Sequence, residues 1–119
     1  MSHPVVRWQI VSPDAAATAR FYQSLFEWSC TQDNALGYRE MRTGGEGPDG
    51  GVWPAPSDAR PFVQLFVRVP DVAAHVERAT TLGAAVIVPP TALPDGDTMA
   101  VLHDPLGMPF VVCSPRDGA

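Results

Sequence analysis

The feature that most constrains this chain is an internal repeat. Adding 57 to a residue number carries Pro13 onto Pro70, Asp14 onto Asp71, Ala16 and Ala17 onto Ala73 and Ala74, Leu25 onto Leu82, Pro48 onto Pro105 and Gly50 onto Gly107. One constant offset over seven identities in two separate stretches, with the same hydrophobic pattern, marks a duplicated module of a little under about 60 residues. At 119 residues the chain is one domain by length, with room for a core of its own. It divides into module one, 4–57, module two, 60–114, and a tail, 115–119. The Pro-rich connector from Pro54 to Pro61 is too short for a free linker between independent domains.

The second copy shows the plan most clearly. From Phe62 to Val69 the residues alternate, with Val63, Leu65, Val67 and Val69 on one face and Phe62, Gln64, Phe66 and Arg68 on the other. Period two with an aliphatic face predicts a strand packed on a core. Pro70 stops the ladder, Asp71 caps a helix, Val72, Val76 and Ala79 form its apolar stripe, and Gly83 ends it. Further strands are predicted at Ala84–Val88, Gly96–Leu102 and Met108–Ser114, with a loop at Pro89–Asp95 and a turn at His103–Gly107.

In the first copy Val5–Val11 alternates, with Arg7 and Gln9 opposite Val6, Trp8 and Ile10. Ser12-Pro13-Asp14 supplies turn and cap. Ala15–Phe26 is a helix whose stripe is read as Phe21 with Leu25 and Tyr22 with Phe26. Strands follow at Trp28–Thr31, Leu36–Arg42 and Val52–Ala55, with a turn at 32–34. TGGEGPDGG, residues 43–51, has the glycines of a phosphate loop. No Lys-Ser/Thr pair or helix follows it, so it reads as a hairpin connection. Each half is β-α-β-β-β.

Eight basic against 13 acidic residues give a net charge of −5, which opposes the phosphate neutralisation on which nucleic-acid binding rests. No run reaches the roughly 18 apolar residues of a membrane span, and the first residues lack a secretion signal's basic and apolar regions. Neither nucleic acid nor membrane is expected as a partner, and the cytoplasm is the default compartment. Cys30 and Cys113 lack CxxC spacing and read as two reduced thiols.

The tandem repeat, with SPDAAATARFYQSLFEW, GG before VWP, VRVPDVAAHVERATTLGAAV and LHDPLGMPF, resembles the vicinal oxygen chelate superfamily of glyoxalase I, extradiol dioxygenases, fosfomycin-resistance and bleomycin-binding proteins. The resemblance implies an α+β fold in which two βαβββ modules form a curved, cup-shaped mixed sheet with helices outside, often completed as a homodimer. Metal-using members place a ligand on the first and last strand of each module. The matching positions here are Arg7, Pro54, Gln64 and Val111. Arg cannot ligate a divalent cation, and Pro and Val offer no donor side chain. The expectation is therefore no metal cofactor; the alternative is a divalent ion held in unusual places by Gln9, Gln64 and His103, with Glu40 and Glu46 nearby.

The function expected is binding of a small organic molecule, as in the bleomycin-binding branch. Rival readings are a glyoxalase-like lyase or dioxygenase with non-standard ligands, and a metal-free acid–base enzyme using His103, whose imidazole titrates near neutrality. Arg7 suits an anionic or carbonyl oxygen, Gln9 and Gln64 offer amides, and Trp53 and Phe66 offer ring faces. Val111 and Cys113 share a face of the last strand and complete the expected ligand-binding set with His103. His75 reads as solvated, His3 is terminal and uninformative, and Trp8, Phe21, Phe26 and Trp28 read as core.

Overall fold

A computed structural model of the chain describes residues 3–31, 37–93 and 96–115. Its elements run β1 Val5–Ser12, α1 Ala15–Phe26, β2 Ser29–Thr31, β3 Arg39–Arg42, β4 Gly50–Pro54, β5 Phe62–Arg68, α2 Val72–Thr81, β6 Ala85–Ala92, β7 Thr98–His103 and β8 Pro109–Ser114. The class is α+β and the order is βαβββ twice, as the repeat predicts. The turn expected at 32–34, the start of the third strand and most of the tail lie outside the described residues.

The chain forms two compact units. The first is Arg7–Gln64; the second takes the residues up to Val6 and those from Leu65 onward. In the first, β1 runs parallel to β4, and β3 pairs antiparallel with both β4 and β2. In the second, β5 runs parallel to β8, and β7 lies antiparallel between β8 and β6.

Both helices start the same way. The Asp14 carboxylate accepts from the Ala17 N–H at 3.0 Å, and the Asp71 carboxylate from the Ala74 N–H at 3.1 Å, so both caps and their partners sit 57 apart. Each satisfies a donor that has no partner within its own helix. At the far end of α2, Gly83 adopts φ +104° and its N–H donates to Thr80 O, while Ala84 N–H donates to Ala79 O. The core of the second unit is Val69, Val72, Val76, Ala100, Leu102 and Val112, with Val67, Ala79 and Phe110 against it.

The structure corrects several expectations. Of the aliphatic face expected over Phe62–Val69, only Val67 on β5 and Val69 just after it join that core, whereas Val63 and Leu65 stay 52% and 49% exposed. Alternation tells which residues share a face, not whether another element covers that face. On α1 the buried residues are Ala15 and Ala19, with Tyr22 half-buried, and Phe21, Leu25 and Phe26 are more than half exposed. Small residues let the helix lie close on Met41 and Val52, and the large ones turn outward. Trp8 and Trp28 do pack on this core; Phe21 and Phe26 do not.

β6 runs on through Pro89 and Pro90, where a loop was expected, with register shifts between Val86 and Val88 and between Val88 and Thr91. It is the end strand of its unit and, among the described residues, pairs only with β7, so the missing proline N–H groups interrupt one ladder at its bulges instead of two. His75 is half-buried, not solvated, and meets the His3 ring edge-on at 4.9 Å.

The repeat also slips. Gln9 pairs with Gly51 and its counterpart Phe66 pairs with Val111, so the first strands are 57 apart and the last strands 60. The structural counterpart of Val111 is Gly51, and Pro54 is displaced from that role.

The caps give a direct check. Asp14→Ala and Asp71→Ala are each expected to lower stability by about 1 kcal/mol, and Asp→Asn at either site by less. Urea unfolding followed by circular dichroism measures both.

Candidate functional site

The face of the first unit turned away from α1 carries the polar residues of β1. Met41, Val52 and Gly50 align with Ile10 and Trp8 toward the helix, which leaves Arg7, Gln9, Gly51, Trp53 and Glu40 on the other side by the pairing of β1, β4 and β3. Tyr38, just before β3, joins them: the Arg7 Nη2 group donates to its hydroxyl. The guanidinium carbon lies 5.8 Å from the centre of the Tyr38 ring, and that ring lies 4.9 Å from Trp53.

Two glycines make this arrangement possible. A side chain on Gly50 would run into the Trp8 ring and backbone on the helix side, and one on Gly51 would run into the Tyr38 ring and hydroxyl on the opposite side. Consecutive strand residues point to opposite faces, so Gly50-Gly51 admits one aromatic ring on each. The loop before them is closed by Asp49, whose carboxylate accepts from Thr43 N–H at 2.9 Å and Thr43 Oγ1 at 3.2 Å, while Trp8 Nε1 donates to Pro48 O at 3.0 Å. The connection after β3 is thus a hairpin loop, as its sequence predicts.

Beside Arg7, Gln9 and Gln64 are 4% and 7% exposed, and Gln64 Nε2 donates to Gln9 Oε1 at 2.5 Å. Glu40 pairs with Arg42 at 3.1 Å, in the open.

Burial holds the Tyr38 phenol above its ordinary 10.0, and Glu40 adds to this; the charge and hydrogen bond of Arg7 pull the other way. The neutral phenol is therefore the resting form, a donor as well as an acceptor.

The remaining expected site residues belong to the second unit. Phe66 pairs with Val111, which is wholly buried. Cys113 is half-buried, with its thiol 3.7 Å from Val67 O, and neither it nor Cys30 forms a disulfide. His103 ends β7 opposite Pro109 and Ala85. The Asp104 carboxylate next to it accepts from Leu106 and Met108 N–H, each at 2.9 Å, so HDPLGM is a closed turn.

Do these residues fit the divalent ion that metal-using relatives hold? In the first unit the first-strand position carries a guanidinium engaged with a phenol, and the last-strand position is Gly51. In the second module of the repeat the corresponding residues are Gln64, already bonded to Gln9, and buried Val111. Among the described residues no three His, Cys, Asp or Glu side chains lie together. This donor set does not fit a divalent cation.

A cavity of about 430 Å³ lies on the helix side of the first unit, lined by Ile10, Ala17, Thr18, Phe21, Phe62 and Val63 among others. Its lining is mainly apolar, and the Thr18 hydroxyl is already 2.7 Å from Ser12 Oγ. The groups capable of recognising charge are on the opposite face.

Sequence reasoning passed over Tyr38 and Gly51. Within the predicted strand Leu36–Arg42, Tyr38 shares a face with Glu40 and Arg42; that alternation was the available signal. For Gly51 the signal was two adjacent glycines running into a strand.

Two outcomes follow from this geometry. Because the fold holds the Tyr38 proton more tightly than the unfolded chain does, its contribution to stability is complete below pH 10.0 and is lost as pH rises through the raised value. Alkaline urea titrations should show this loss in the parent and not in Tyr38→Phe. Gly51→Ala should cost on the order of 1–3 kcal/mol through overpacking, and much less in a Tyr38→Ala background; a double-mutant cycle measures the difference.

Comparison with known proteins agrees with the fold. The family profile described as "Glyoxalase-like domain" matches residues 8–113. No curated protein matches the sequence. Among solved structures, methylmalonyl-CoA epimerase from Mycobacterium tuberculosis is similar at a TM-score of 0.68 and 17% identity, over 94% of this chain and 87% of that one. A hypothetical protein from Bacillus halodurans is similar at 0.70 and 13%, over 100% and 99%. A Streptomyces coelicolor methylmalonyl-CoA epimerase variant in complex with 2-nitronate-propionyl-CoA is similar at 0.64 and 16%, over 96% and 95%. At such identities the likeness concerns the fold. With nearly its whole length matched by the profile, this chain belongs to the glyoxalase-like family of the vicinal oxygen chelate superfamily.

Proposed function

We propose that this glyoxalase-like protein binds a small organic molecule without a divalent metal, on the face of its first unit that carries Arg7, Tyr38 and Trp53. The observation that carries the reading is the Arg7–Tyr38 pair, which stands where metal-using relatives would present a ligand. A guanidinium has five N–H donors in a fixed fork, so one side chain addresses the phenol and a ligand oxygen together. Arg7, Tyr38 and Trp53 are all half-buried, which strengthens their electrostatics yet keeps them within a ligand's reach.

The chemistry of the face sets the ligand class. Arg7 favours a carboxylate or a polarised carbonyl, and the Tyr38 and Trp53 rings favour a flat apolar body. The epimerase neighbour bound to a nitronate-bearing CoA ester supports a small organic ligand of this general kind. Sequestration is the role these groups support best, in line with the bleomycin-binding branch. His103, the candidate for acid–base work, belongs to the other unit.

The test uses 2-naphthoate, a flat ring with one carboxylate, followed by quenching of tryptophan fluorescence. Chelator-treated protein should bind it as well as untreated protein. Arg7→Met should weaken binding by roughly tenfold or more, the scale of one charge-assisted hydrogen bond. Binding that requires added zinc, nickel, manganese or iron, or that ignores Arg7→Met, would overturn the reading.

A further inference from the structure

The Gln9–Gln64 pair is the least explained polar feature of the first unit. Both residues are more than nine-tenths buried, yet the amide atoms left over from their mutual bond keep contact with solvent, where a ligand can reach them. Two primary amides hold two carbonyls and two NH2 groups. Their single bond, at 2.5 Å, uses one carbonyl and one N–H. Among the described residues the side chains bond to each other and to no third group. Whichever way each amide is turned about its last bond, one whole NH2 group and one carbonyl are left over.

The surroundings point these leftovers at a ligand. Gln9 sits on β1 between Arg7 and Val11 and pairs with Gly51, which adds no side chain of its own. The Tyr38 ring covers Gly51, with Trp53 beyond it. The amide pair therefore adjoins two aromatic rings and a guanidinium.

We infer that the Gln9–Gln64 pair is a recognition element for a lactam or carboxamide. Such a group presents a C=O and an N–H side by side in one plane, the complement of the leftover NH2 and carbonyl. A carboxylate brings acceptors only and would set an oxygen against the leftover carbonyl. An ether or ester brings no donor. This inference rests on the binding reading above and narrows its ligand to a planar lactam or carboxamide that also offers an oxygen to Arg7.

The probes are 2-quinolinone and N-methyl-2-quinolinone, which share a ring system and a carbonyl and differ in the N–H donor. By tryptophan quenching, 2-quinolinone should bind the parent protein at least about tenfold more tightly, since a site built to accept a hydrogen bond discriminates against an analogue that cannot give one. The Gln9→Met/Gln64→Met double variant, which removes both amide carbonyls at similar side-chain length, should reduce that preference to within twofold. The comparison in the parent stands even where the double variant fails to fold. Equal affinities for the two probes, or no binding of 2-quinolinone up to its solubility, would overturn the inference. Retention of Arg7-dependent 2-naphthoate binding alongside that result would leave the broader reading intact; its loss would remove both.

Discussion

The candidate site depends on one close approach: an aromatic ring lying directly on a residue that has no side chain. Tyr38 occupies the space over Gly51 and takes the Arg7 hydrogen bond there. Trp8 occupies the space over Gly50 on the reverse side and packs toward Met41 and Val52. β4 is thus thin where the rings need it thin. The same two residues that let the core close on one face let the polar site form on the other, so the stability of the first unit and the geometry of its site are set at one place in the chain.

That coupling explains what could be read from the sequence and what could not. The helix caps were legible because capping is local: Asp14 and Asp71 each bind an N–H three residues on, and the repeat displays the signal twice. The stripe of α2 was legible because aliphatic residues at helical spacing had a matching strand to cover. The face of α1 was not, since its aromatic residues outscore Ala15 and Ala19 in any hydrophobic pattern, yet only the alanines allow the helix to approach. Tyr38 and Gly51 were hidden for a related reason. A glycine records nothing about which ring will lie on it, and the three-residue slip between the last strands of the two modules moved the expected partner from Pro54 to Gly51.

Arg7, Gln9 and Gln64 were visible as a set because they break the aliphatic character of their strands on one face. Their meaning came only with the geometry. A guanidinium at a position associated with metal ligation could have been an isolated surface charge. Held on a half-buried phenol, it places a fixed positive group in a setting where charge is poorly screened. An amide pair beside it contributes direction without net charge. In the function proposed above, they would take the part that a bound cation plays in metal-using members of the superfamily.

The two prolines of β6 have a bearing on association between copies. An end strand with an unbroken row of N–H groups offers a template on which another strand can grow. Pro89 and Pro90 carry no N–H, and neighbouring strand residues aim theirs at opposite edges, so the free border loses a donor there and the register shifts beside it break the row further. Any pairing of this protein with itself is thereby steered away from ladder growth at this border and toward contact between side chains, and α1 leaves Phe21, Leu25 and Phe26 more than half exposed.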